Sequence, residues 1–109
     1  MEDVKIIGAG LAGSEAALQL AKRGIKVKLY EMRPNKTTGA HGTSDWAEFV
    51  CSNSLGSSDI TNASGLLKKE MEILGGELIK IAYENAVPAG NALAIAREDF
   101  SKAVTERIN

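Results

Sequence analysis

The chain has 109 residues, 44% hydrophobic and 25% charged, the composition of one small globular domain rather than of a disordered or low-complexity segment. Thirteen Lys and Arg stand against fourteen Asp and Glu, so no basic field marks out a surface for nucleic acid or an anionic membrane. Lys, Glu or Arg breaks every apolar run well short of the roughly 20 residues that span a bilayer, so no membrane partner is expected.

The first strand-like run starts almost at Met1, with no signal segment before it, and the single cysteine, Cys51, has no partner for an internal disulfide. A cytoplasmic setting is therefore expected. Residues Val4 to Ile7 are β-branched and apolar apart from Lys5 and run into Gly-Ala-Gly, the pattern of a short buried strand stopped by a tight turn. Leu11, Ala12, Ala16, Ala17, Leu20 and Ala21 then recur at helical spacing, and Gly24 supplies a helix stop. Lys26 to Glu31 alternates polar and apolar, giving a second strand parallel to the first in a βαβ unit.

From Pro34 to Ser58, Thr, Ser, Gly and Asn dominate around a small apolar island at Trp46, Ala47, Phe49 and Val50, which predicts a long loop with one short helical or extended piece. Leu66, Leu67, Met71 and Leu74 give a helix that Thr61 or Asn62 can cap and that Gly75-Gly76 ends. A short helical run follows over Leu78 to Tyr83, then a turn over Val87 to Asn91 and a short strand over Ala92 to Ala96. Phe100, Ala103, Val104 and Ile108 form the apolar stripe of a last helix. A doubly wound sheet needs more parallel strands than this. The fold class is thus α/β: the first part of a Rossmann-like dinucleotide-binding fold, a βαβ unit followed by a long loop and additional helices. Residues 1–109 are expected to be the N-terminal segment of that domain, with the remainder of the protein lying beyond it.

Gly8-Ala9-Gly10-Leu11-Ala12-Gly13 matches G-x-G-x-x-G. The three glycines serve a tight turn, close backbone approach to a pyrophosphate, and close packing of helix on strand. The N–H groups and partial positive charge of the following helix favour the phosphates without a basic side chain. Glu31, at the end of the second strand, is placed to accept hydrogen bonds from ribose hydroxyls. Its carboxylate would repel a 2′-phosphate, which leaves FAD or NAD and argues against NADP at this position.

The run from Ile7 to Ala17 and the run Leu29-Tyr30-Glu31-Met32-Arg33-Pro34 resemble the start of the folate- and FAD-dependent tRNA uracil-5-methyltransferases. Narrower blocks carry the same resemblance: Ala47-Glu48-Phe49-Val50-Cys51-Ser52-Asn53-Ser54-Leu55, Thr61-Asn62-Ala63 with Gly65-Leu66-Leu67-Lys68, and Val87-Pro88-Ala89-Gly90 with Ala92-Leu93-Ala94. The resemblance covers essentially the whole chain. It implies a flavoprotein enzyme that takes a methylene group from methylenetetrahydrofolate, reduces it with NADPH or NADH, and places a methyl on C5 of the T-loop uridine of a tRNA partner. FAD is the implied cofactor and no metal is implied. Gly8, Ala9, Gly10, Leu11, Ala12 and Gly13 would hold the FAD pyrophosphate, Glu31 the adenosine ribose, and Met32 with Arg33 the adenosine end. Arg97, opening the last helix, would approach the FAD, with a surface salt bridge as its alternative. Two positions depart from the family pattern: Gly56 stands in place of a basic residue, and Ala96 in place of an acid.

Uracil C5 is a poor nucleophile until a group adds at C6, so a thiolate is expected in such chemistry. The resemblance implicates Cys51 as the catalytic residue, whether it attacks C6, handles a proton or traps a methylene species; its spacing alone equally fits a small buried hydrophobe. His41 suits a solvated loop, Trp46 and Phe49 local packing, and Ser52 and Asn53 either a ligand or their own loop backbone. Two further readings stay open: another FAD-dependent tRNA-modifying or NAD-linked oxidoreductase, and a nucleotide-binding module without catalysis.

Overall fold

The computed structural model describes residues 3–32, 47, 54–88, 90 and 92–108. Strand β1 (Val4–Ile7) runs into Gly8, whose φ of +101° is left-handed backbone that favours glycine. Helix α1 (Leu11–Lys22) follows and ends at Arg23, with Gly24 at φ +75° turning the chain back. Strand β2 (Val27–Tyr30) lies parallel to β1 in the register Val4↔Val27 to Ile7↔Tyr30. The expected βαβ unit is present, but β1 is not the buried strand that its apolar run predicted. Ile6 and Leu29 are half-buried, Ile6 facing α1, whereas Ile7 and Tyr30 lie on the opposite side of the pleat and are 81% and 47% exposed.

Strand β3 (Ser54–Ser57) comes next, where the sequence predicted only loop. Its Ser-Leu-Gly-Ser run has weak strand propensity, and the strand exists because a later edge pairs with it. Helix α2 (Ala63–Ile73) starts at Asn62, whose side-chain oxygen accepts the Gly65 N–H at 2.9 Å, one of the two predicted caps. Helix α3 (Glu77–Glu84), strand β4 (Ala86–Val87), strand β5 (Ala92–Ile95) and helix α4 (Arg97–Ile108) complete the described elements. Strands β3, β5 and β4 form an antiparallel sheet in that order, with Ser54↔Ala94 and Ala86↔Ile95 as cross-strand partners.

The core sits under this second sheet. Ile79, Ile81 and Ala82 of α3 meet Leu93 and Ile95 of β5 and Phe100 and Val104 of α4, with Ala47 in the same cluster. Each fully buried large side chain here contributes about 2–3 kcal/mol of transfer free energy. Helix α2 is oriented differently from its leucine pattern. Its packed face carries Gly65 and Lys68, while Leu66 and Leu67 are 48% and 57% exposed. The cause is steric: a Cβ on Gly65 would run into the Asp59 carbonyl, so this face alone can approach the β3–α2 connection closely.

Candidate dinucleotide site

The glycines of the turn have separate physical roles. A Cβ at Gly13 would collide with the Gly8 carbonyl oxygen and stand 3.4 Å from Ile6 Cγ2, so this glycine lets α1 sit against β1. Gly10 has φ −76°, which any residue accepts, and a Cβ there would meet nothing within 4 Å among the described residues. The packing of the described residues therefore does not require a glycine here, and the open space in front of it is where a ligand's close approach to the backbone fits. Gly10 also serves as the N-cap of α1 and brings no side-chain hydrogen bond to it. The first-turn N–H groups and the positive end of the helix dipole are thus presented without a built-in carboxylate or hydroxyl, as an anion requires. These residues fit the pyrophosphate of a dinucleotide.

Glu31 is brought to the same turn from the far end of β2. Its Oε1 accepts the Ala9 N–H at 2.9 Å, so the acid expected as a ribose ligand also braces the glycine-rich turn. Ala9 is fully buried, and its carbonyl accepts from the Ser14 hydroxyl at 3.3 Å and from the Ala47 N–H at 2.7 Å. Leu11 and Met32 are 41% and 47% exposed at the rim. Arg97 is the exposed first residue of α4, and its guanidinium makes no ion pair among the described residues. Arg33 and Cys51 lie outside the described residues, as do His41, Trp46, Phe49, Ser52 and Asn53.

Beside the first turn of α1 opens a cavity of about 490 Å³, walled by Leu11, Leu55, Met71, Leu74, Leu78 and Phe100. Glu15 stands at its edge and does structural work that sequence reasoning missed. Its Oε1 accepts from the Glu77 N–H at 2.9 Å and its Oε2 from the Leu78 N–H at 2.8 Å, so an acid on α1 caps the N-terminus of α3. Gln19 adds a bond to the Gly75 carbonyl at 2.9 Å. Glu77 in turn is held by Lys22 and by Arg107, each at 3.1 Å. The hydrogen bond from Lys22 leads the effects that hold the Glu77 carboxyl below its ordinary value, helped by the charges of Lys22, Arg107 and Lys80 against its partial burial. The only advance signal for this network was an acid placed one turn into α1 and a Gly-Gly stop before an uncapped helix.

Two further polar groups stand near Gly56, the position that departs from the family pattern. Gly56 has φ +88°, and a Cβ there would stand 2.5 Å from Ser64 Oγ and 3.3 Å from Lys68 Nζ. The buried Lys68 donates to Ser64 Oγ at 2.7 Å, and its burial lowers the ammonium's pKa. A lysine already stands where a side chain at position 56 would start. Among the described residues no group of three His, Cys, Asp or Glu is arranged to hold a metal ion, and no helix is long and apolar enough to cross a membrane.

Several relatives bear the name methylenetetrahydrofolate--tRNA-(uracil-5-)-methyltransferase TrmFO. The protein of Fusobacterium nucleatum is 61% identical over 105 residues, which is 96% of this chain and 24% of that protein. That of Carboxydothermus hydrogenoformans is 58% identical over 109 residues, 100% of this chain and 25% of that protein, and that of Bacillus subtilis is 60% identical over 107 residues, 98% and 25%. The chain thus spans about a quarter of the length of these relatives. The sequence model described as "Glucose inhibited division protein A" matches residues 3–109, the glycine-rich turn and Glu31 included. With the turn, its acid and nearly every residue inside that match, the chain belongs to the glucose inhibited division protein A family.

Proposed function

We propose that this chain is the FAD-binding N-terminal segment of an enzyme that methylates C5 of the T-loop uridine in tRNA. Methylenetetrahydrofolate is the proposed carbon source and NADPH or NADH the reductant. The observation that carries the reading is near-60% identity, over almost the whole chain, to proteins named for that folate-dependent tRNA reaction. The open cradle at Gly10 supports the cofactor part of it.

In this reading the turn Gly8, Ala9, Gly10, Leu11, Ala12 and Gly13 holds the pyrophosphate at the N–H groups of the first turn of α1 and its dipole, while the Gly8 and Ala9 N–H groups, which donate to the Tyr30 carbonyl and the Glu31 carboxylate, fix the shape of the turn. Glu31 shares its carboxylate between the Ala9 N–H and the adenosine ribose, while Met32 and Arg33 flank the adenosine and Arg97 approaches the cofactor from α4. FAD, when bound, supplies the redox link between the nicotinamide reductant and the methylene carbon. Cys51 belongs to the chemical step, as the thiol that uracil chemistry at C5 requires. The setting is the cytoplasm, with tRNA and folate as partners.

The test is a chimera of the Carboxydothermus protein in which this chain replaces the matching 109 residues. Supplied with FAD, NADPH or NADH, labelled methylenetetrahydrofolate and unmodified tRNA, it should form labelled 5-methyluridine. Cys51→Ala in that chimera should keep its flavin and lose about two orders of magnitude or more in transfer rate. A folded, flavin-bearing chimera that makes no 5-methyluridine contradicts the proposal, and unchanged turnover in Cys51→Ala removes that residue from the chemistry.

A further inference from the structure

The residue that sequence reasoning placed in an apolar island, Ala47, has an unusual backbone. Its φ is +56°, the one left-handed conformation of a non-glycine residue among those described, and it is fully buried. An L-residue held there marks a site that its surroundings over-determine. The surroundings are two hydrogen bonds on opposite sides. The Ala47 N–H donates to the Ala9 carbonyl at 2.7 Å, and the Ala47 carbonyl accepts from the Ser101 hydroxyl at 3.4 Å.

Ser101 is 3% exposed, in the middle of α4. A serine there ordinarily bonds back to the carbonyl one turn earlier, as its neighbour Thr105 does to the Ser101 carbonyl at 2.8 Å. Ser101 instead reaches out of its helix to Ala47. The two bonds therefore join α4 to the glycine-rich turn through a single buried residue.

The direction of the Ala9 carbonyl matters because the peptide that carries it also carries the Gly10 N–H. That peptide is planar and trans, so its N–H points away from its C=O. Ala47 and Ser14 hold the carbonyl on the buried side. The Gly10 N–H is then turned to the side where a Cβ on Gly10 would meet nothing within 4 Å among the described residues. We propose that Ser101 is a positioning residue for the dinucleotide turn: acting through Ala47, it sets the Ala9–Gly10 peptide so that the Gly10 N–H faces the pyrophosphate. This rests on the reading of the turn as an FAD site and adds to it a residue of α4 distant from the motif in sequence.

The experiment uses the full-length chimera and reads flavin affinity by fluorescence, thermal stability, and amide hydrogen exchange without flavin. Ser101→Ala should weaken FAD binding about five- to tenfold, the loss of about one hydrogen bond, and speed exchange of the Ala47 amide. Ser101→Thr, which keeps the hydroxyl, should restore both. Ala47→Val, β-branched at that φ, should lose binding. A Ser101→Ala protein whose melting temperature falls while FAD affinity stays within about twofold overturns the proposal, because the serine would then serve stability alone. If the parent chimera binds no FAD, the cofactor reading fails by itself. Exchange then decides the positioning claim: an Ala47 amide no faster in Ser101→Ala than in the parent overturns it.

Discussion

Ala9 and Glu31, 22 residues apart in sequence, are joined by a 2.9 Å hydrogen bond from the backbone N–H of the first to the carboxylate of the second. The bond makes Glu31 part of the turn's structure as well as a candidate ribose ligand. Replacing it with alanine should remove a charge-assisted bond and cost about 2 kcal/mol of stability. Glu31→Gln keeps an acceptor oxygen and should cost less than about 1 kcal/mol. Thermal unfolding of the two variants checks the difference; equal losses would mean that the bond to Ala9 carries no stability.

Gly13 should be intolerant of any side chain even without cofactor. A Cβ there runs into the Gly8 carbonyl, a backbone atom that cannot swing aside. Gly13→Ala should destabilise the chain by about 3 kcal/mol or more, read as a lower melting temperature. A melting temperature within a degree of the parent would show that α1 does not pack on β1 as closely as described.

Glu15 should matter to α3, although it lies on α1. Its carboxylate accepts from the Glu77 and Leu78 N–H groups and from Gln19. Glu15→Ala should cost about 2 kcal/mol, as the loss of a charged helix cap does at its upper range. Hydrogen exchange should show the first turn of α3 opening faster while the α1 amides keep their protection. Uniform loss of protection would point to a different role.

Acid should weaken the α1–α3–α4 junction through Glu77. Its carboxyl is held below the ordinary value of 4.5, chiefly by the Lys22 hydrogen bond. A depressed folded-state pKa contributes stability that is complete above the unfolded value and lost as pH falls through the folded one. The window is therefore below pH 4.5. Glu77→Gln should be less stable than the parent at pH 6, and the gap should close on the way to pH 3. Parallel melting curves across that range would refute the linkage.

What was legible in the sequence was local. The β1–turn–α1–β2 unit could be placed because Gly8 and Gly13 answer to constraints within a few residues, and α2 could be started at Asn62 because its cap lies three residues away. The antiparallel sheet could not: Ser54 pairs with Ala94, and Ser-Leu-Gly-Ser has no strand character of its own. The buried position of β1 was over-read, since Ile7 faces away from α1. The structural roles of Glu15 and Ala47 were illegible for the same reason as the sheet. Apart from Gln19 beside Glu15, their partners lie 38 to 63 positions away, and an alanine at positive φ leaves no mark in sequence.

The central claim, that the turn at Gly8 to Gly13 binds FAD by direct backbone approach at Gly10, is tested most directly by flavin titration of the chimera with and without Gly10→Val. The parent should bind FAD stoichiometrically. The variant should bind none at an almost unchanged melting temperature, since a Cβ at Gly10 meets only open space among the described residues. Stoichiometric flavin absorbance in Gly10→Val, or a parent chimera that takes up no flavin, would contradict the claim.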